Sequence, residues 1–195
     1  MYKICKTERS ANRQKLIENT LFEMMKKRHF DDITVTDLCE ELKMPRKAFY
    51  RYFDGKDAAL MGFIARNLSS YSDTYTATHG ARSLFKELEE FFTFWETKSE
   101  LLEVLNRSGK LMEVMRLSLE VSISSMVNLD RLLPDEEESM RERVYRFAIG
   151  GLVSIMLDWF EEGFKTPKSD ITKLAVRILT KPPFPSLSKI GISDV

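Results

Sequence analysis

A chain of 195 residues, 43% hydrophobic and 31% charged, can bury a sizeable core and still present a polar surface. Thirty Lys and Arg offset thirty Asp and Glu, so the overall charge alone gives no reason to expect a nucleic-acid partner. Two cysteines, Cys5 and Cys39, cannot frame a disulfide scaffold, and His29 and His79 lack Cys or carboxylate partners at ligand spacing, which argues against a metal site.

The charge is unevenly spread. Residues 1–60 hold 13 Lys and Arg against 10 Asp and Glu, a surplus of three cations, and residues 61–195 hold 17 against 20. A basic beginning on an acidic remainder is the local footprint that a nucleic-acid partner requires. A surplus of three is modest, so affinity has to come from a focused patch and from dimerisation.

The first predicted helix runs from about Glu8 to Lys27, with Leu16, Thr20, Leu21 and Met24 on its expected buried face. The second opens at Thr34, a good N-cap with Asp37 three residues on, while Ile33 and Leu38 stand where a hydrophobic staple fixes the entry angle. Leu38 and Leu42 give it one apolar face, and Cys39 reads as a small core residue beside them. Lys43-Met44 is the expected turn, and Pro45 suits the start of a third helix because it needs no amide partner there. On that helix Phe49 and Phe53 should point inward, leaving Arg46, Lys47, Tyr50 and Arg51 on or near the outer face.

Cations are unfavourable at the positive end of a helix, so a core gives no reason to open the third helix with Arg46 and Lys47. An anion facing them does. Two short helices and a tight turn, presenting one helix end, form the helix-turn-helix device that enters a DNA groove. We expect Arg46 and Lys47 to enter the major groove with Ala48 and Arg51 on the same surface, and Thr34, Thr36, Tyr50, Tyr52 and Lys56 to hold phosphates. The bland alternative is a helical hairpin with a solvated charged face, but caps, turn, apolar face and cation placement all favour DNA.

Helices continue to the end of the chain without a period-two pattern. A fourth is expected from Asp54 or Gly55 to about Ala77, a fifth over Ser83 to Thr97 and a sixth over Glu100 to Asn106. A seventh, apolar nearly all round through Met112, Met115, Leu119, Ile123 and Met126, runs from about Lys110 to Leu132 before Pro134. The eighth starts in the acidic run Asp135-Glu136-Glu137-Glu138 and ends near Gly163, and the ninth spans about Ser169 to Lys181 before Pro182-Pro183. The fold class is therefore all-α, a three-helix head on a larger helical bundle, about nine helices in total. The expected division is a head over 7–67, a body over 68–181 and a tail over 182–195.

These residues also carry a family resemblance. Arg13, Ile17, Thr34-Val35, Phe49-Tyr50-Arg51-Tyr52-Phe53 and Lys56 have the types and spacing, over residues 9–64, of the N-terminal domain of TetR/AcrR-type transcriptional regulators. A weaker second match, Phe147-Ala148-Ile149-Gly150-Gly151-Leu152 followed by Trp159, Gly163 and Pro167, resembles the last two helices of that family's regulatory domain. Two positions depart from the pattern: Lys43 stands where the family usually has Gly, and Pro45 where it often has Ser. A non-Gly residue in a left-handed cap costs about 1 kcal/mol, so strain is expected at the turn.

The body shows no catalytic constellation. His79 stands at a helix end beside Gly80, Gly150-Gly151 lies inside a helical pattern without a preceding strand, and Glu161-Glu162 reads as a solvated patch. An enzyme is not expected, nor is any cofactor. The resemblance implies a small-molecule effector in the body, and the candidates to line its pocket are Phe63, Tyr71, Tyr75, Phe91, Trp95, Met112, Met115, Arg116, Leu119 and Phe147. Arg116 is the nearby charge that could hold a carboxylate, and the rest suit an apolar or aromatic ligand. A ligand wedged against Phe63, Tyr71, Met115 or Leu119 would tilt the fourth helix, which head and body share, so that effector and DNA oppose each other.

One recognition helix reads too few bases to find a site in a genome, so a homodimer on a palindromic operator is expected. Val144, Phe147, Gly151, Ile155, Val176 and Leu179 of the last two helices are the candidate contacts, with Gly151 permitting close approach. No apolar signal core opens the chain, and the longest apolar run, Ala148 to Leu157, is too short for a bilayer. The expectation is a cytoplasmic, ligand-released repressor that binds double-stranded DNA. The alternatives are a TetR-like DNA-binding protein with an architectural, effector-independent role, and a helical interaction module.

Overall fold

The computed structural model describes residues 7–76, 83–125 and 137–181, and side chains within them for 7–70, 83–120 and 137–181. Nine helices stand in this set: α1 Glu8–Lys27, α2 Val35–Glu41, α3 Arg46–Phe49, α4 Lys56–Thr76, α5 Leu84–Glu96, α6 Ser99–Arg107, α7 Met112–Ser125, α8 Glu138–Glu161 and α9 Lys168–Thr180, with a 3₁₀ turn at Phe30–Asp32.

Their ends follow local chemistry. A capping box between Thr7 and Ser10 opens α1, Ser83 caps α5 through the Lys86 amide, and Pro167 stands at the N-cap of α9. Three helices end in the same motif, in which one residue turns left-handed and the next donates five residues back. Lys43 (φ 48°) does this after α2, Gly109 (φ 64°) after α6 and Gly163 (φ 70°) after α8. The returning bonds are Met44 N–H to the Cys39 carbonyl (2.9 Å), Lys110 to Leu105 (2.8 Å) and Phe164 to Trp159 (2.9 Å). The strain expected from Lys43 in place of glycine is thus present in the backbone.

In the packing, α4 lies against α1 and α7, α7 against α8, and α5 against α8 and α9. The apolar core is continuous from Ile17 to Ala175. Its aromatic centre holds Phe92 edge-on to Trp159 at 5.8 Å, with Phe164 4.8 Å from the same indole. The Trp159 Nε1–H is satisfied by the Thr166 carbonyl at 2.7 Å. The expected head–body boundary falls inside α4, where buried Ile64 and Leu68 continue one face across it.

Two expected faces are displaced. On α1 the buried positions are Gln14, Ile17, Glu18, Leu21, Phe22 and Met25, while Leu16 is 44% exposed. Stacking of Phe22 on Phe63 of α4 at 4.6 Å fixes that rotation. On α7 the interior stripe is Val114, Leu117 and Ser118, preceded by Leu111, and Met112 is 63% exposed, so this helix is not apolar on all sides. The side chain of Ile123, and Met126 entirely, lie outside the described residues, as do Cys5, His79, the acidic run 135–136 and the tail 182–195.

Candidate nucleic-acid interface

The site rests on a rigid corner. Thr34 Oγ1 accepts the Asp37 amide (3.1 Å), and the Asp37 carboxylate accepts the Thr34 amide (2.8 Å), which closes the capping box at the start of α2. These bonds to Thr34 hold the Asp37 carboxyl below the usual carboxylate range, with Arg28 (3.3 Å) adding to the effect. Ile33 and Leu38, the two staple positions, are both fully buried.

Pro45, with φ −65°, is the N-cap of α3. Helical geometry covers only Arg46–Phe49, and a turn through Tyr52 follows, with the Tyr52 amide on the Phe49 carbonyl at 2.9 Å. Phe49 and Phe53 are fully buried with ring centroids 5.8 Å apart, and they anchor this short element to the core. The opposite side carries Arg46, Lys47, Tyr50 (41% exposed) and Arg51 to the surface, with Thr36 exposed beside them on α2 and Ala48 and Tyr52 half-buried. The Arg46 guanidinium donates to the Tyr50 hydroxyl at 3.3 Å and stands 6.0 Å from its ring, so the two present one pre-ordered donor surface. Lys47 meets no carboxylate among the described residues.

Lys56 is different. Its ammonium donates to the carbonyls of Phe30 (2.8 Å), Asp31 (3.1 Å) and Ile33 (2.7 Å) and lies 4.5 Å from the Phe30 ring. All three protons are engaged, so the side chain clamps the 3₁₀ turn that leads into α2. The expected free phosphate-binding lysine is corrected to this clamp.

The sequence offered no signal for the partners of that clamp, because they are remote. Arg107 Nη2 donates to the Met25 and Lys26 carbonyls, both at 2.8 Å, and so closes the C-terminal end of α1. Ser108 accepts the Phe30 amide at 3.3 Å, and Lys110 covers the other approach to the Phe30 ring at 4.7 Å. The α6–α7 corner therefore grips the base of the helix-turn-helix. Arg28 was also missed; besides Asp37 it reaches the Asp32 carbonyl.

The candidate effector residues do not converge on one space. Phe63 is stacked on Phe22, and Phe91 and Trp95 are core, with centroids 6.5 Å apart. Met112 is 63% and Phe147 76% exposed, so neither lines an interior space in this chain. Arg116 pairs with Glu113 and Glu120, both at 2.8 Å, rather than awaiting a carboxylate. Met115 and Leu119 are half-buried between these positions, and the side chains of Tyr71 and Tyr75 lie outside the described residues. Of the candidate dimer contacts, Val144 (42%), Phe147 and Leu179 (37%) are exposed, Ile155 and Val176 half-buried, and nothing stands within 4 Å of where a Gly151 Cβ would be. Met140, 45% exposed, extends the same stripe along α8.

Among the described residues no group of three His, Cys, Asp or Glu is placed to hold a metal ion, and no helix is long and apolar enough to cross a membrane. Cys39 is buried, which pushes its thiol pKa up.

No protein-family model matches the sequence, and no curated relative does. Solved structures do. A chain named as the dihydroxyacetone kinase operon activator DhaS is 15% identical, with a TM-score of 0.55 over 85% of this chain and 93% of that one. A TetR-family transcriptional regulator from Streptomyces coelicolor is 16% identical, with a TM-score of 0.55 over 86% and 78%. The all-α fold of this chain is TetR-like.

Proposed function

We propose that the protein is a homodimeric, sequence-specific DNA-binding transcriptional regulator of the cytoplasm, acting as a repressor that a small molecule releases. The observation that carries the reading is α3 itself. Its exposed side presents Arg46 braced on Tyr50 and a Lys47 without a carboxylate partner among the described residues, on an element held in place by two fully buried phenylalanines. A solvated hairpin needs no such bracing. The names of the similar structures, one an operon activator and one a transcriptional regulator, agree with a role in regulation.

Dimerisation completes the reading. Met140, Val144 and Phe147 expose apolar surface along one side of α8, and Leu179 does so on α9. Isolated exposed apolar residues are ordinary, whereas a contiguous stripe marks an interaction surface. A two-fold pairing through α8 and α9 would cover it and place two α3 helices on one duplex.

The test is selection of duplexes from a random-sequence library by the wild-type protein, followed by titration and sedimentation. The expected result is a palindromic consensus bound by a dimer. Arg46→Ala with Lys47→Ala should abolish enrichment, and Phe147→Asp should yield folded monomers whose melting temperature falls by what pairing contributed to stability. No enriched sequence, or a wild-type monomer at micromolar concentration, sinks the reading. Reporter expression that rises when the gene is deleted identifies a repressor, and expression that falls identifies an activator.

One observation favours a second reading, DNA binding without an effector. Arg116 is already paired, and Met112 and Phe147 lie outside any interior space. A thermal-shift screen of small metabolites decides between the two: stabilisers that also weaken operator binding support release, and none at all supports effector independence.

A further inference from the structure

A cleft of about 510 Å³ opens between α1 and α3 and is lined also by Met44 of the turn that joins α2 to α3. Its rim carries three exposed arginines, Arg9 and Arg13 of α1 and Arg51 just after α3, over a floor that includes Leu16, Met44 and Tyr52. None of the three guanidinium groups has a hydrogen-bond or ion-pair partner among the described residues. Among the other described arginines, Arg28 pairs with Asp37, Arg66 with Glu18, Arg116 with two glutamates and Arg146 with Glu142. Exposed Arg143 and Arg177 have no ion pair among the described residues. What sets the three cleft arginines apart is that they face one space. Three cations facing one space repel each other unless an anion joins them.

We propose that this cleft holds the sugar–phosphate backbone of DNA, so that the N-terminal half of α1 forms a second clamp beside the reading helix. The proposal rests on the reading of the protein as a DNA-binding regulator and adds Arg9 and Arg13 to its contact surface. Arg9 and Arg13 stand one turn apart on the same side of α1, close enough to grip a single strand together. The floor decides the class of anion. A free phosphate would use only the rim, whereas a nucleic-acid strand alternates charged phosphates with apolar deoxyribose faces. That alternation fits a lining in which Arg9, Arg13, Arg51 and Asn12 alternate with apolar Leu16, Met44 and Ala48, and in which Leu16 is 44% exposed. Arg51 and Ala48 line the cleft and also belong to the segment that carries Lys47, so one duplex can meet both surfaces.

The test uses the full chain and a duplex that the wild-type protein has enriched from a random library, titrated at two or more salt concentrations. Arg9→Ala with Arg13→Ala should weaken binding about tenfold or more on every duplex, enriched or not, at ~0.1 M salt. The slope of log K against log salt should fall by roughly 0.9 per lost phosphate contact, about 1.8 for two. The enriched base pattern should stay the same, because phosphate contacts carry no base information. The melting temperature should also stay the same, because neither side chain has a partner to lose among the described residues. Arg9→Lys with Arg13→Lys should retain most of the salt slope, and this variant carries the test should the alanine pair fail to fold. Unchanged affinity and slope, or a change confined to base preference, overturns the clamp while leaving the regulator reading intact. A wild-type protein that enriches no duplex overturns both.

Discussion

The outward and inward sides of the helix-turn-helix use cations in opposite ways. On the outward side Lys47, Arg51, Arg9 and Arg13 have no partners among the described residues. On the inward side each cation is committed: Lys56 to three carbonyls, Arg107 to two, Lys110 to Asp57 and the Phe30 ring, Arg66 to Glu18. Where the body meets the head, carbonyls and carboxylates together engage these cations. Free cations on one side and engaged ones on the other are what a surface awaiting an external anion requires. The comparison predicts that inward substitutions cost stability and outward ones cost affinity.

The largest effect should come from the sharpest contrast, Lys56 against Lys47. Lys56→Met keeps the aliphatic stem but leaves three carbonyls without a donor, and hydrogen bonds to a charged group are worth about 1.5 to 3 kcal/mol. Urea unfolding should show a loss of about 2 to 3 kcal/mol. Lys47→Ala should stay within about 0.5 kcal/mol of wild type in the same assay and instead lose about 1 to 3 kcal/mol of affinity for its enriched duplex. If Lys56→Met unfolds at the wild-type midpoint and only flattens the salt dependence, the inward side is not what holds the corner together.

That contrast also marks where sequence reasoning reached and where it stopped. Helix positions were legible because their signals are local: Thr34 and Asp37 cap within three residues, and Gly109, Gly163 and Pro167 mark ends on the spot. Rotation was less legible. Leu16 and Ile17 are both apolar neighbours on α1, and only the partner surface of α4, with Phe63 against Phe22, decides which one is buried. Met112 and Val114 pose the same ambiguity on α7. The carbonyls that Lys56 engages lie 23 to 26 residues away, and those of Arg107, which no local signal singled out, lie 81 and 82 away. Nothing in a local pattern encodes such pairs.

A middle-sized effect concerns the one acid committed to the inward side of α1. Glu18 is fully buried; one oxygen takes the Arg66 Nε–H at 2.7 Å, while the other has no partner and faces Gly62. Desolvation raises its pKa despite Arg66, so the folded protein binds this proton more tightly than the unfolded chain. Stability from this group is therefore fully present below the ordinary glutamate value of 4.5 and is lost as pH rises through the higher folded value. Glu18→Gln should abolish that loss, so its urea midpoint should gain on wild type as pH climbs from acid to neutral. A constant gap across that range would show that Arg66 offsets the burial completely. Gly62→Ala probes the same contact by size, since an added Cβ would stand 2.8 Å from the unpaired oxygen. It should cost about 1 to 2 kcal/mol through forced displacement of the carboxylate.

The smallest effect lies at Lys43, which with Phe164 (φ 56°) is one of two non-glycine residues in the left-handed region among the described residues. Three helices close with the same left-handed motif, and two of them place glycine at the left-handed residue while α2 places Lys43 there with φ 48°. A side chain in that conformation costs about 1 kcal/mol, part of which glycine returns through its freer unfolded state. Lys43→Gly should therefore raise stability by roughly 0.5 kcal/mol, read as a small upward shift of the urea midpoint with an unchanged slope. Such a lysine is tolerated if its charge contributes elsewhere. Lys43 is exposed at the turn between α2 and α3, four residues before Lys47. The same variant should thus lose salt-dependent DNA affinity, with the log–log slope falling by up to about 0.9. A stabilised variant that binds DNA as tightly as wild type would remove Lys43 from the outward set and leave its strain without a compensating role. A variant that is both more stable and weaker on DNA would show the outward side trading stability for contact, as the unpaired cations around it imply.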